Sequence, residues 1–286
     1  MGLTIKEIIP IGERILENSG VENFSIDAEA LLGFEIGFDK KKIFMNWTHE
    51  VGDGHSERYF DLVNRRAAGE PLQYIMGEQV FMGHRFFVDP SVLIPRPETE
   101  ALAEKAIAYL KTHESAKAVL DLCTGSGALA VSLAKACPGF KYTAADISAQ
   151  ALGVAKQNAA KLGVSGRIEF MQSDLFGALK RGAFGKKYGL IVTNPPYIRT
   201  GELAGLQREI AGHEPMLALD GGADGLDFYR RIAAGARPYL RPGGLVLAEI
   251  GCDQAAEATA IFAAAGFADT EVYRDLSGRD RIVKAV

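Results

Sequence analysis

Asn194-Pro195-Pro196-Tyr197 is the segment of this 286-residue chain that points most directly to chemistry. It follows an apolar run, Leu190-Ile191-Val192, that reads as a buried parallel strand. Two consecutive prolines lack N–H donors and hold φ at about −65°, so they cannot continue that strand. The chain must leave the sheet at Asn194 in a stiff, fixed shape. A carboxamide, carbonyls without nearby competing donors and an aromatic face then stand together at a strand's carboxyl end. That is a holder for a planar, hydrogen-bonding NH2 group. The Asn194 side-chain oxygen and the Pro195 carbonyl are its expected acceptors, and Tyr197 is expected to pack against its plane.

A second cluster, Asp121-Leu122-Cys123-Thr124-Gly125-Ser126-Gly127, sits where an earlier strand turns into a helix. Gly125 and Gly127 permit tight backbone geometry and close approach of a ligand. Free N–H groups at a helix start favour a polar or anionic ligand group. Asp146 closes the next strand, nineteen positions after Gly127. That spacing suits a carboxylate that accepts hydrogen bonds from both hydroxyls of a ribose. Gly125-x-Gly127-x-x-Ala130 also satisfies the dinucleotide fingerprint, so the turn alone does not choose among nucleotide-like ligands. A ligand-free tight turn, with Asp146 capping the next helix, is the purely structural alternative. Asp174 closes a third strand in Gln172-Ser173-Asp174-Leu175-Phe176. A carboxylate there can accept from an adenine amino group, with Leu175 or Phe176 against the ring; a surface loop acid is the alternative. Cys123 has no histidine beside it in sequence to activate a thiol, so backbone is its expected contribution.

These residues need a scaffold, and the pattern of the chain supplies one. From residue 117 strands and helices alternate: Ala118–Leu122, Tyr142–Asp146, Ile168–Phe170, Leu190–Val192 and Leu245–Glu249 are strands, with helices between them. Two last strands, near Thr270–Tyr273 and Arg281–Val283, lie close enough in sequence to pair antiparallel. Such βαβα alternation predicts a doubly wound α/β sheet with right-handed crossovers. Ligands then bind outside the carboxyl ends of the strands where the strand order reverses. The first and fourth strands flank that point, which puts the glycine turn and Asn194 in one cleft.

Residues 1 to about 70 read as helical. Thr4-Ile5-Lys6-Glu7 fits a capping box, and Pro10 predicts a kink or a late helix start. Ser25 and Ser56 are the expected caps of two further helices. Gln79–Met82 and Arg85–Val88 flank Gly83-His84 as a hairpin. Pro90, Pro95 and Pro97 then punctuate the chain like a boundary. The expected division is a helical domain over 1–75, a hairpin linker over 76–97 and a catalytic domain over 98–286. Arg96, Glu98 and Thr99 open its first helix, either bordering the site or simply forming a capped helix start.

Composition narrows the partners. A net charge of −4 argues against nucleic acid as the main partner. The basic candidates, Lys40-Lys41-Lys42 and Lys180-Arg181 with Lys186-Lys187, read as solvated charges. Three scattered cysteines and five isolated histidines give no disulfide framework and no metal site. No signal core or membrane-spanning stretch is present, so a cytoplasmic protein without a membrane partner is expected.

The glycine turn, Asp146 and Asn194-Pro195-Pro196-Tyr197 together resemble the S-adenosylmethionine-dependent methyltransferases that act on planar NH2 groups, either of adenine or of glutamine. Gly69-Glu70-Pro71-Leu72-Gln73-Tyr74-Ile75, Leu93-Ile94-Pro95-Arg96-Pro97-Glu98-Thr99-Glu100, Glu214-Pro215, Asp224-Gly225-Leu226, Glu249-Ile250-Gly251 and Asp275–Arg281 are similar to the HemK/PrmC family. The resemblance spans nearly the whole chain and is tightest over residues 69–281. It implies a seven-stranded class I, Rossmann-like methyltransferase sheet, S-adenosylmethionine as cofactor, and methylation of the glutamine side-chain nitrogen in the Gly-Gly-Gln loop of class 1 peptide chain release factors. The helical domain would help to dock the factor. Carried onto this sequence, Asn194, Pro195, Pro196 and Tyr197 would hold the substrate amide. Cys123, Thr124, Gly125, Ser126, Gly127, Asp146, Asp174, Leu175 and Asn194 would hold the cofactor. Cys123 departs from the glycine many methyltransferases carry there; Glu249 and Arg230 read as structural. An adenine methyltransferase acting on DNA or RNA is the alternative, since it needs the same holder, but no target-recognition domain is apparent.

Overall fold

The structure, a computed structural model, describes residues 2–179 and 187–286. Lys180, Arg181 and Lys186 of the basic cluster lie outside the described residues. Lys187 donates its ammonium to the Pro238 carbonyl. The chain forms two compact units: Met1–Glu78 with Gln207–His213, and Gln79–Leu206 with Glu214–Val286.

The first unit contains α1 (Ile5–Asn18), α2 (Phe24–Ile36), α3 (Lys40–Met45), α4 (Asp53–Ala67) and α5 (Leu72–Met76), joined by α9 (Arg208–His213) from the returning segment. Glu7 accepts from both the backbone N–H and the hydroxyl of Thr4, completing the expected capping box. The helix starts at Ile5 and passes through Pro10, so the expected late start is not seen. Proline removes one hydrogen bond there, while Ile5, Ile8, Ile9 and Leu16 on the same helix are all buried. Ser25 and Ser56 are not caps. Asn23 and Gly52 precede the two helices, and the serines, already inside them, bond to Glu13 and to the Val51 carbonyl. Buried Arg66 ties α4 to α2 and α9 through Asp27 (2.6 Å) and Glu209 (2.5 Å).

A hairpin, β1 (Glu78–Phe81) and β2 (His84–Phe87), opens the second unit. Its turn is Met82-Gly83, one position earlier than expected. Both residues have positive φ (49° and 72°), the conformation that matches the twist of paired strands. Glu100 accepts from the Met82 N–H at 2.6 Å and so holds the strained residue in place.

The main sheet has seven strands: β3 (Ala118–Leu122), β4 (Lys141–Asp146), β5 (Ile168–Gln172), β6 (Tyr188–Thr193), β7 (Leu240–Glu249), β8 (Thr270–Arg274) and β9 (Asp280–Ala285), in the order β5-β4-β3-β6-β7-β9-β8. The first five are parallel; β9 lies antiparallel between β7 and β8. Alternate residues serve opposite faces, as period-2 strands must. Val119, Leu190, Val192 and Leu245 pack under α6 (Pro97–Thr112) and α7 (Ala128–Ala136). Leu120, Ile191, Val246 and Val283 pack under α10 (Asp227–Ala236) and α11 (Ala255–Ala264). Helix α8 (Ala149–Lys161) links β4 to β5. Burial on both faces is why these strands read as nearly continuous apolar runs.

Candidate active site

The strand order reverses between β3 and β6, and their register pairs Leu122 with Thr193. The next residue of each strand is therefore Cys123 on one side and Asn194 on the other. Thr193 donates its hydroxyl to the Leu122 carbonyl at 2.9 Å, tying the two strand ends together. Above them lies a cleft of about 340 Å³. Cys123, Gly125, Asp146, Asp174, Leu175, Asn194 and Pro196 line it, so the glycine turn, both acids and the Asn194 corner meet as the sequence implies. Thr124, Ser126, Gly127, Pro195 and Tyr197 are not among the residues that line it.

The glycine turn is braced from below. Buried Asp121 takes the Thr124 hydroxyl (2.6 Å) and the Ala130 N–H (3.1 Å) on one oxygen; its other oxygen has no partner. Burial pushes its pKa up to about 7. Gly127, at φ +80°, precedes α7 closely against α8, where an added Cβ would stand 3.0 Å from the Ala155 Cβ. Gly125, at φ +54°, has open space where its Cβ would be. A residue with no sequence signal completes the turn. Asn158, fully buried on α8, donates to the Ser126 carbonyl and exchanges two hydrogen bonds with Phe87 of β2. The hairpin and the glycine turn thus share one anchor.

Two other lining residues are strained. Cys123 and Leu175 are non-glycine residues with φ of 58° and 46°. Strain of this kind collects at functional sites, where the surrounding structure enforces it. It also explains why glycine suits the Cys123 position. Burial, together with Asp146 and Asp121, pushes the thiol of Cys123 far up, so it is no thiolate nucleophile.

Asp146 accepts from the Gly125 N–H (2.8 Å) and the Ser148 N–H (2.9 Å), one on each oxygen. A carboxylate offers about four lone-pair positions, so acceptor capacity remains for hydroxyl donors in the cleft. Burial raises its pKa against these backbone bonds. Asp174 is held by Arg231 at 2.6 Å. Leu175 faces the cleft, but Phe176 turns into the core and stacks on Tyr239 with centroids 5.0 Å apart.

On the opposite wall, Asn194 donates its amide N–H to the Thr99 hydroxyl at 3.1 Å. Thr99 lies in the first turn of α6 and is buried. Beside it is Glu249, at the end of β7 and 1 % exposed. The Tyr197 hydroxyl donates to Glu249 at 3.3 Å, so its polar end is turned to this acid. The Tyr197 carbonyl accepts from Gln254 at 3.0 Å, and its backbone passes so close to Gly225 that a Cβ there would lie 2.5 Å from that carbonyl. Arg96 pairs with buried Glu214 at 2.6 Å, while Arg230 is a surface partner of Asp224. Pro90, Val92, Leu217 and Ala218 add an apolar wall that the sequence reading did not assign to the cleft.

Parallel strands with β9 wedged antiparallel beside the edge strand form the class I methyltransferase sheet, and the cleft suits S-adenosylmethionine. It has the size of a small-molecule pocket, an open backbone at Gly125 and carboxylates with acceptor capacity to spare. Solved structures show the same fold. The catalytic domain of hMettl16 in complex with a MAT2A 3′UTR hairpin aligns with TM-score 0.54 at 15% identity, over 82% of this chain and 81% of that one. A T. thermophilus 16S rRNA N2 G1207 methyltransferase aligns with TM-score 0.50 at 19% identity, over 73% of this chain and 49% of that one.

Within that class the sequence comparisons are specific. The PrmC N-terminal domain profile matches residues 7–77, and the methyltransferase small domain profile matches residues 102–221. The release factor glutamine methyltransferase of Moorella thermoacetica is 41% identical over 98% of this chain and 97% of its own length. That of Geobacter sulfurreducens is 40% identical over 98% and 95%. The chain belongs to the release factor glutamine methyltransferase family, and S-adenosylmethionine is its cofactor. Among the described residues no helix is long and apolar enough to cross a membrane.

Proposed function

We propose that this enzyme methylates the side-chain amide nitrogen of the glutamine in the Gly-Gly-Gln loop of class 1 peptide chain release factors. The reading is carried by one observation: Asn194 lines the cofactor cleft with its NH2 group committed to Thr99. Its oxygen is then the end available to a substrate donor.

An amide nitrogen is a poor nucleophile, because its lone pair is delocalised into the carbonyl. S-adenosylmethionine supplies a methyl group on a positively charged sulfur, which is electrophile enough for such a partner. What the protein adds is position. Asn194 Oδ1 and the Pro195 carbonyl accept the two N–H bonds of the substrate amide and fix its plane. Alignment of two reactants can contribute up to about 7–11 kcal/mol in favourable systems. The same acceptors support the positive charge that builds on nitrogen, and they need no reorganisation because Pro195 and Pro196 stiffen the corner. No general base has to act before transfer, since the N–H becomes acidic once nitrogen is alkylated. Asp146 holds the ribose hydroxyls and Asp174 the adenine amino group, with Leu175 against the ring.

The helical domain, residues 1–75, docks the release factor, and residues 76–97 link it to the catalytic domain over 98–286. Exposed apolar side chains on the helical unit, Phe44 and Met45 above all, support a protein partner. The enzyme works in the cytoplasm on folded protein rather than on bare nucleic acid.

Mass spectrometry of a purified release factor, after incubation with enzyme and methyl donor, tests this. The glutamine-containing loop peptide should gain the mass of one methylene. An unmodified factor alongside methylated DNA or RNA would overturn the reading in favour of adenine chemistry.

A further inference from the structure

The two acids assigned to the nucleoside are oriented in different ways. Asp146 takes its direction from two backbone N–H groups, those of Gly125 and Ser148. Asp174 accepts no backbone N–H among the described residues; the Arg231 guanidinium, at 2.6 Å, is its one side-chain partner there. The backbone around Asp174 is nevertheless held. The buried Ser173 hydroxyl donates to the Leu175 carbonyl (2.7 Å) and accepts from the Ala178 N–H (2.9 Å), which braces Leu175 at positive φ. What remains free is the Asp174 side chain, which is 52 % exposed and can choose among staggered rotamers.

Helix α10 removes that freedom. Phe228, Arg231 and Gly235 are three and four positions apart, so they share one stripe of the helix. The stripe faces the loop that carries Asp174. At Gly235 an added Cβ would stand 2.6 Å from the Phe176 ring, and one turn earlier Arg231 grips Asp174. Phe228 backs the guanidinium, which lies 5.6 Å from its ring centroid, and packs on the buried core. Phe228 and Arg231 line the cleft together with Asp174 and Leu175. We infer that Arg231 is a positioning residue that aims the Asp174 carboxylate at the adenine amino group and so sets the preference of the site for a purine bearing that group. Arg231 holds Oδ1 and leaves Oδ2 to accept the amino N–H. The inference rests on the adenine role proposed for Asp174, and it gives a task to a cleft residue that has none in the function as proposed so far.

The test is calorimetry on the full-length enzyme with two ligands: S-adenosylhomocysteine, and its analogue in which hydrogen replaces the adenine amino group. The readout is the ratio of the two affinities. Asp174→Ala should lower that ratio by about tenfold, the cost of a lost hydrogen bond to a charged group. Arg231→Met keeps an apolar stem over Phe228 and removes the charge. It should lower the ratio by about three- to fivefold, the range open to an exposed ion pair, and leave binding of the analogue unchanged. Arg231→Lys should restore part of the ratio, since it returns the charge without the planar fork. In the Asp174→Ala background, Arg231→Met should have no further effect on the ratio, because Arg231 acts through Asp174. Equal losses for both ligands would make Arg231 a support of the wall alone and overturn the inference. So would a parent-level ratio in Arg231→Met beside a lowered one in Asp174→Ala, an outcome that leaves Asp174 on the adenine. A parent-level ratio in Asp174→Ala itself would remove both.

Discussion

The two walls of the cleft are each built over a buried acid, and they are built differently. Under the glycine turn, Asp121 bonds to Thr124 and Ala130, three and nine positions away in the chain. Under the Asn194 corner, Glu249 faces Tyr197, 52 positions away. Asn194 in turn reaches Thr99, 95 positions away. Both acids are pushed up to about 7 by burial, and both keep one oxygen without a partner. The first is a local brace that shapes backbone for a cofactor. The second stands among distant segments that meet around one amide. A cofactor needs a contour, which a short loop can provide by itself. An amide nucleophile needs a donor and acceptor pattern of fixed sense, which requires long-range contacts.

The comparison can be broken most severely at Asn194. Asn194→Ala should retain S-adenosylmethionine binding and lose methyl transfer by a factor of about 10²–10³, the cost of removing one partner of the transition state. Single-turnover rates with saturating cofactor check this. On the other wall, Asp146→Ala should weaken S-adenosylmethionine binding by about 10- to 100-fold, as for lost hydrogen bonds to a charged group. Calorimetry that finds the affinity unchanged would remove Asp146 from the ribose.

The two buried acids give a shared signature in stability. Each binds its proton more tightly in the fold than in the unfolded chain, so the fold is favoured at low pH. As pH rises from the ordinary carboxylate range towards 7, that advantage is lost, by up to about 1.4 kcal/mol per pH unit for each group. Glu249 does not titrate in isolation, since Arg281, Glu98, Tyr197 and Tyr229 surround it. Asp121→Asn should therefore remove its own share of the slope and leave that of Glu249. Denaturant unfolding at a series of pH values measures this, and an unchanged slope would show that Asp121 is ionised throughout. The smallest effect is expected at Cys123. Valine there should cost about 2 kcal/mol, because a β-branched side chain is forced to positive φ, while glycine should stay within about 1 kcal/mol of the parent. Equal Tm values for the two variants would refute the strain.

The same contrast governs what could be read in advance. All seven main strands, the antiparallel final pair and the meeting of Asn194 with the glycine turn followed from alternation, turn chemistry and the switch-point rule. In the helical unit the Thr4 capping box followed, but other local details did not. The first helix begins before Pro10, with Ile5, Ile8, Ile9 and Leu16 buried, and Ser25 and Ser56 found acceptors other than a helix start. Asn158 carried no signal, because a buried asparagine on an amphipathic helix looks like any polar residue until its three partners are known. Phe176, a candidate for the adenine ring, was claimed by the core through Tyr239.

By itself, the order of residues determined which groups would stand at strand ends, since a strand's periodicity and a proline's fixed φ are properties of neighbours along the chain. Which way the Asn194 amide turns was decided only in three dimensions. That choice depends on Thr99, 95 positions away on a helix, and a hydrogen bond between such segments exists only once the fold has brought them together.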